Sequence, residues 1–66
     1  MNVTVNGRAQ EAPPGETVES LLDRLGLAAR YALVERNGEP VERDRYWATE
    51  LDDGDTLVVA RPVAGG

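Results

Sequence analysis

The stretch TVESLLDRLGL at residues 17–27 decides the fold, because it predicts one short amphipathic helix. Its larger apolar residues recur three and four positions apart, the spacing that aligns side chains on one face of an α-helix. These residues are Val18, Leu21, Leu22 and Leu25. We therefore expect a helix over about residues 17–25 that buries this face against a second layer of structure.

Signals at both ends of the stretch support these bounds. Thr17 is a residue type that caps helix N-termini, and Glu19 falls in the first turn, where the helix dipole favours a carboxylate. Gly26 stands where a left-handed residue would end the helix, and Leu27 would then fold back on Leu22 in a Schellman ending.

The residues before the helix predict a β-hairpin. Residues 1–5 alternate between apolar and polar side chains, which is the period of a strand with one buried face. Asn6 and Gly7 follow, and both tolerate the positive φ angles of a tight hairpin turn. Residues 8–12 then predict the returning strand. Prolines end it at residues 13–15, since proline cannot donate to a β-ladder.

The residues after the helix predict the remaining strands and therefore the fold class. In chain order we expect a strand at 31–34, an Asn-Gly turn at 37–38, a short edge strand at 40–41, a helical turn at 44–47, an acidic turn at 52–55 and a strand at 56–61. One amphipathic helix needs one sheet to cover it. The sequence thus predicts a single α+β domain over residues 1–66, with a sheet of four to five strands packed on one main helix.

Alternation along these strands separates core residues from outward-facing residues. The expected core consists of Val3, Val5, Val18, Leu21, Leu25, Val34, Leu57 and Val59. Trp47 is expected to fill the core as well, since the chain has no phenylalanine. The last strand should lie inside the sheet. Beside the chain end, three residues are expected to face outward and form an apolar, partner-facing patch, here called the outer patch: Leu33, Val58 and Ala60.

Composition excludes several classes of function. Twelve acidic against seven basic residues give a net charge of −5, which argues against nucleic acid as a partner. The chain contains no cysteine, histidine or lysine, so thiol nucleophiles, imidazole bases and Schiff-base amines are missing. The acidic turn at residues 52–55 lacks the ligand spacing of an EF-hand, and we expect no bound metal. We see no membrane span or signal peptide and expect a cytoplasmic protein that is not an enzyme but takes part in a reaction as a substrate.

The chain ends in RPVAGG, residues 61–66, and this ending suits insertion into another protein's active site. Proline fixes φ and lacks an N–H, which releases the following residues from the sheet. The terminal glycines have no Cβ, so a narrow channel can surround the tip. We therefore expect a flexible tail at about residues 62–66. Its recognition by a partner would involve Arg61, Pro62, Val63, Ala64 and Gly65.

Four segments together resemble the ThiS family of sulfur carriers, within the ubiquitin-like β-grasp superfamily. They are VTVNG at 3–7, TVESLLDRLGL at 17–27, NGEPVERDRYW at 37–47 and LDDGDTLVVARPVAGG at 51–66. The resemblance spans nearly the whole chain and implies a β-grasp fold. One departure is the pair Glu35 and Arg36, where the family usually has small or apolar residues.

The resemblance also implies a function. A ThiF-type adenylyltransferase would use ATP to adenylate the carboxylate of Gly66. Sulfur from a persulfide protein would then displace AMP and leave a thiocarboxylate, and the thiazole synthase ThiG would take that sulfur. On this basis the chain itself binds no cofactor, and ATP is consumed by the activating enzyme.

Three other functions remain open from the sequence. The small subunit of molybdopterin synthase, a MoaD-like protein, shares the fold and the Gly-Gly end, but such chains tend to be longer, with a larger apolar patch. A ubiquitin-like modifier is possible too, although the absence of lysine prevents chains built through its own side chains. A plain β-grasp binding module would not need a free Gly-Gly end.

Overall fold

The computed structural model describes residues 1–61, and the predicted tail at residues 62–66 lies outside the described residues. Five strands and one α-helix occur in this part of the chain. They are β1 (Asn2–Val5), β2 (Arg8–Glu11), α1 (Val18–Arg24), β3 (Leu33–Arg36), β4 (Glu39–Val41) and β5 (Thr56–Ala60). Two short 3₁₀ turns accompany them, at Ala29–Tyr31 and Arg43–Arg45.

The strands form one mixed sheet in the order β2-β1-β5-β3-β4. β1 runs parallel to β5, while the β1–β2, β3–β4 and β3–β5 pairs are antiparallel. The last strand is therefore the central one, which confirms its predicted position inside the sheet. The predicted α+β arrangement of one helix on one sheet is confirmed as well.

The predicted hairpin and helix ends are both observed. Asn6 and Gly7 have φ angles of 50° and 82°, which makes the β1–β2 connection a tight turn of the predicted kind. Thr17 caps α1 in a reciprocal capping box, in which its side chain accepts a hydrogen bond from the Ser20 N–H. At the other end, the Leu27 N–H donates to the Leu22 carbonyl at 2.9 Å, as a Schellman ending requires.

The helix packs its apolar face on one side of the sheet and closes a single core. The buried cluster contains seven of the eight predicted core residues, whereas Leu25 is only partly buried at its edge. Leu25 follows the last residue of α1 and so lies where the helical stripe ends. The cluster also includes residues that were not in the predicted core: Leu22, Ala32, Tyr46 and Leu51.

Two predictions need correction. The third strand begins at Leu33 rather than at residue 31, because Ala29–Tyr31 forms a 3₁₀ turn instead. The prediction that Trp47 fills the core is wrong, since its side chain is 64% exposed. Tyr46 takes that place at 2% exposure, and its hydroxyl reaches a buried backbone carbonyl, which compensates for burying a polar group.

Within residues 1–61, no helix is long and apolar enough to cross a membrane.

Candidate functional site

The structure places the start of the tail at the end of the central strand. β5 ends at Ala60, and the exposed Arg61 follows it directly. Of the predicted tail-recognition residues, Arg61 alone is described, whereas Pro62, Val63, Ala64, Gly65 and the predicted modification site Gly66 lie outside the described residues. We call the segment Val59–Arg61 the tail root. What the structure defines is therefore how the tail root is held.

Each flank of β5 is paired near the tail root. On one flank β3 pairs with β5 in antiparallel register, so that Leu33 lies opposite Ala60 and Val34 opposite Val59. On the other flank the backbone pairs of β1 end earlier, with Val5 opposite Leu57.

The side chain of Asn6 continues the pairing where β1 stops. Its Oδ1 accepts a hydrogen bond from the Val59 N–H at 2.8 Å, and its Nδ2 donates to the Val59 carbonyl at 3.0 Å. The side-chain amide thus occupies the position that a backbone peptide group would take in a longer strand. Asn6 was predicted as a turn residue, but this contact joins positions that are distant in sequence and has no local signal.

The outer patch lies on the face of the sheet opposite the helix. Leu33 is 53% exposed and Val58 49% exposed, and Ala60 is exposed beside them. Together with Pro40 and Val41 of the edge strand, they line a shallow, mainly apolar groove. All three patch residues are exposed, and the register opposite Leu33 brings Ala60, next to Arg61, into the same surface. Contiguous exposed apolar surface of this kind is common at sites of protein–protein contact.

A polar cluster holds the opposite end of β5. The buried carboxylate of Asp55 accepts hydrogen bonds from Arg36 Nε at 2.8 Å, Asn37 Nδ2 at 2.9 Å and the Asp52 N–H at 2.8 Å. Burial by itself would raise the pKa of Asp55. The hydrogen bonds from Asp52, Asn37 and Arg36, with the charge of Arg36, outweigh that effect and hold the pKa below its usual value near 3.8.

The same cluster explains Arg36, one of the two residues at which the sequence departs from the expected family pattern. Arg36 also pairs with Asp52 at 2.9 Å, so it fixes the acidic turn before β5. Glu35 is exposed and lies opposite Val58. In residues 1–61, no group of three or more acidic side chains is placed to hold a metal ion.

At this end of β5, the side chain of Asn37 binds the strand backbone, as the side chain of Asn6 does at the tail root. It too precedes a glycine in a tight turn, with a φ of 52°. Its Oδ1 accepts a hydrogen bond from the Thr56 N–H at 2.9 Å. The two Asn-Gly turns therefore hold the first and the fourth residue of β5 through side-chain amides.

The chain has a mixed sheet in this strand order, with one helix across one face. Its last strand is central and leads into a Gly-Gly end. These features define a protein of the ubiquitin-like β-grasp class. Within that class, the chain belongs to the ThiS family, whose family model matches residues 3–66.

Similarity to known proteins supports membership of the ThiS family. The crystal structure of the thiamine biosynthesis protein ThiS from Geobacter metallireducens superimposes with a TM-score of 0.84 at 39% identity, with full coverage of both chains. The sulfur carrier protein ThiS of Escherichia coli is 29% identical over the whole length of both chains. A thiazole synthase of Paramagnetospirillum magneticum is 36% identical over all 66 residues, and these make up 20% of that protein. The chain thus spans about a fifth of the length of that relative.

Proposed function

We propose that this chain is the sulfur carrier of thiamine thiazole synthesis and that it carries sulfur as a thiocarboxylate on Gly66. The observation that carries the proposal is membership of the ThiS family over residues 3–66, a match that includes residues 62–66. The Escherichia coli relative of equal length is named a sulfur carrier protein.

The chemistry explains why a carrier of this kind needs an activating enzyme. A terminal carboxylate has a reference pKa of about 3.3–3.7, so it is ionised at neutral pH and is a poor electrophile. A ThiF-type adenylyltransferase would let a carboxylate oxygen of Gly66 attack the α-phosphorus of ATP, which releases pyrophosphate and leaves an acyl adenylate. Because ATP is consumed, we place this reaction in the cytoplasm.

Sulfur then replaces the activated oxygen in two steps. The terminal sulfur of a persulfide protein attacks the acyl carbon, AMP leaves, and an acyl disulfide forms. A thiol reductant cleaves the S–S bond, takes the donor's sulfur into a new disulfide, and leaves the thiocarboxylate. The chain supplies no group to these steps except its carboxylate, so it acts as a co-substrate and not as an enzyme.

The tail root and the outer patch determine where an enzyme can bind this substrate. Five extended residues, 62–66, reach at most about 18 Å, at about 3.3–3.6 Å per residue. The activating enzyme must therefore dock close to Arg61 while the Gly-Gly tip enters its nucleotide site. The outer patch of Leu33, Val58 and Ala60 is exposed, and Ala60 precedes Arg61 directly, so this patch is the docking surface that we propose.

The same surface would meet the thiazole synthase ThiG. The relative from Paramagnetospirillum magneticum supports this partnership, because a protein named thiazole synthase contains a segment similar to this whole chain. Carrying both parts in one chain raises their effective concentration for each other, which is an advantage only when the two parts act together.

A transfer experiment tests the function and separates it from that of a molybdopterin synthase subunit. The carrier is loaded with ³⁵S by a ThiF-type enzyme, ATP, a persulfide donor and a thiol, then repurified. One portion receives thiazole synthase with its substrates, and the other receives the large subunit of molybdopterin synthase with its precursor. We expect label in the thiazole product alone. Transfer only to the molybdopterin precursor would assign the chain to the MoaD-like proteins instead. Label that remains on the carrier with both enzymes, or that never loads, would contradict the proposal.

A further inference from the structure

We propose that Asn6 is a positioning residue for the reaction at Gly66, because its side-chain amide fixes the point from which the tail leaves the sheet. This inference rests on the proposed function and adds to it a role for a residue of the β1–β2 turn. Asn6 does not touch the reacting carboxylate. It acts through Val59, the first residue of the tail root.

The pairing of β1 with β5 shows what Asn6 replaces. The parallel ladder ends with the pair of Val5 and Leu57, and its last backbone hydrogen bond runs from the Asn6 N–H to the Leu57 carbonyl at 2.9 Å. The chain then turns back at Gly7, so β1 has no backbone left to pair with Val59. The side-chain amide of Asn6 supplies both missing partners, one acceptor at 2.8 Å and one donor at 3.0 Å.

Asparagine meets two demands at this position. The φ of 50° is in the left-handed region, which asparagine tolerates better than most residues with a Cβ. An amide carries both an acceptor and a donor, as the N–H and the carbonyl of Val59 require. Aspartate would face the Val59 carbonyl with a second acceptor. Glycine would keep the turn but remove both hydrogen bonds.

A fixed tail root has a kinetic consequence. With Asn6 on one flank and Leu33 opposite Ala60 on the other, β5 is held up to the residue before Arg61. The point at which the tail begins is then set relative to the outer patch that we propose for docking. If one flank opens, the tail starts from a moving point, and a misplacement of about 1 Å at a reacting group can cost on the order of a hundredfold in rate.

Asn37 provides a matched control on the same strand. It has nearly the same φ, and it also loses two side-chain hydrogen bonds when replaced by glycine, one with the Thr56 N–H and one with Asp55. Both Asn6→Gly and Asn37→Gly retain a residue that accepts positive φ. Asn6→Gly releases the end of β5 from which the tail begins, whereas Asn37→Gly releases the opposite end.

The experiment compares the parent with both variants in two measurements. The first is amide hydrogen exchange at Val59. The second is pyrophosphate release by a ThiF-type enzyme with saturating ATP and varied carrier, which gives kcat and KM. For Asn6→Gly we expect exchange at Val59 faster by at least about tenfold, kcat lower by about tenfold and KM within about twofold of the parent. For Asn37→Gly all three values should stay within about twofold of the parent.

The kcat and KM values separate positioning from simple loss of fold. A variant that is only less folded supplies less active carrier, which raises the apparent KM in proportion and leaves kcat unchanged. That pattern for Asn6→Gly, or an equal fall in kcat for both variants, would overturn the role of Asn6 while the parent still reacts. If the parent itself is never adenylated, the proposed function fails and the role of Asn6 fails with it.

Discussion

The hydroxyl of Tyr46 donates a hydrogen bond of 2.8 Å to the backbone carbonyl of Ala32, and both residues are almost completely buried. This contact joins the 3₁₀ turn after β4 to the start of β3. Replacing Tyr46 with phenylalanine removes the donor and leaves the carbonyl poorly paired, since Arg43 approaches it only at 3.4 Å.

We therefore expect Tyr46→Phe to lower the free energy of unfolding by about 1–2 kcal/mol, the cost of a buried acceptor that loses its partner. Trp47→Ala is the control next to it in sequence, and its 64% exposed side chain should contribute less than about 0.5 kcal/mol. Urea denaturation of both variants measures the two values. The reverse ranking would show that Trp47, and not Tyr46, completes the core.

Leu21 connects the helix to the sheet and is 1% exposed. Truncation to alanine should destabilise the domain by about 2–5 kcal/mol, because it removes buried apolar contacts and leaves a cavity. Leu33→Ala makes the same chemical change at an exposed site and should stay within about 0.5 kcal/mol of the parent. Similar denaturation midpoints for the two variants would contradict the packing of α1 on the sheet.

Asp55 makes stability depend on pH in a defined direction. Its pKa is lowered in the folded protein, so its contribution is fully present above the usual value near 3.8 and is lost as pH falls through the lowered pKa. We expect Asp55→Asn to cost about 2–3 kcal/mol at pH 7, where a charged acceptor is lost. The difference between variant and parent should shrink below about pH 4. A difference that stays constant from pH 7 to pH 2 would show that the charge of Asp55 is not what stabilises the cluster.

The outer patch predicts a binding defect without a folding defect. Val58→Arg introduces a charge into the apolar groove, and Glu35 directly opposite can pair with it, so the strand remains stable. We expect the Kd for a ThiF-type enzyme, measured by titration calorimetry, to rise by at least about tenfold. Thr56→Arg, on the same face of β5 but far from the tail root, should leave the Kd within about twofold. Unchanged binding by Val58→Arg would place the docking surface elsewhere.

Local signals in the sequence predict the elements that depend on neighbouring residues. The hairpin follows from Asn6 and Gly7, and the helix follows from its apolar spacing together with Thr17 and Gly26, because each of these features determines its own few residues. The outward direction of Val58 follows from strand alternation alone.

The features that sequence does not predict depend on partners distant along the chain. Tyr46 and Trp47 are adjacent aromatic residues, and which of them points inward depends on the phase of a short turn against the helix and β3. The amide of Asn6 has its partner at Val59, and Arg36 has its partner at Asp55, so neither pairing leaves a local pattern. The position of the tail root could therefore be predicted from the sequence. The hydrogen bonds from Asn6 that hold it could not.

We propose above all that Gly66 is the site of activation. The most direct test of this proposal is the intact mass of the protein after incubation with a ThiF-type enzyme, ATP, a persulfide donor and a thiol. We expect a transient AMP adduct, followed by the exchange of one oxygen of Gly66 for sulfur. A variant with one alanine added after Gly66 moves the carboxylate by about 3.5 Å and should fold normally but scarcely react. Replacing Gly65 with a bulky residue should block the reaction in the same way. A parent protein that gains neither AMP nor sulfur would contradict the account, and equal rates for the parent and both variants would contradict insertion of the tail into a narrow site.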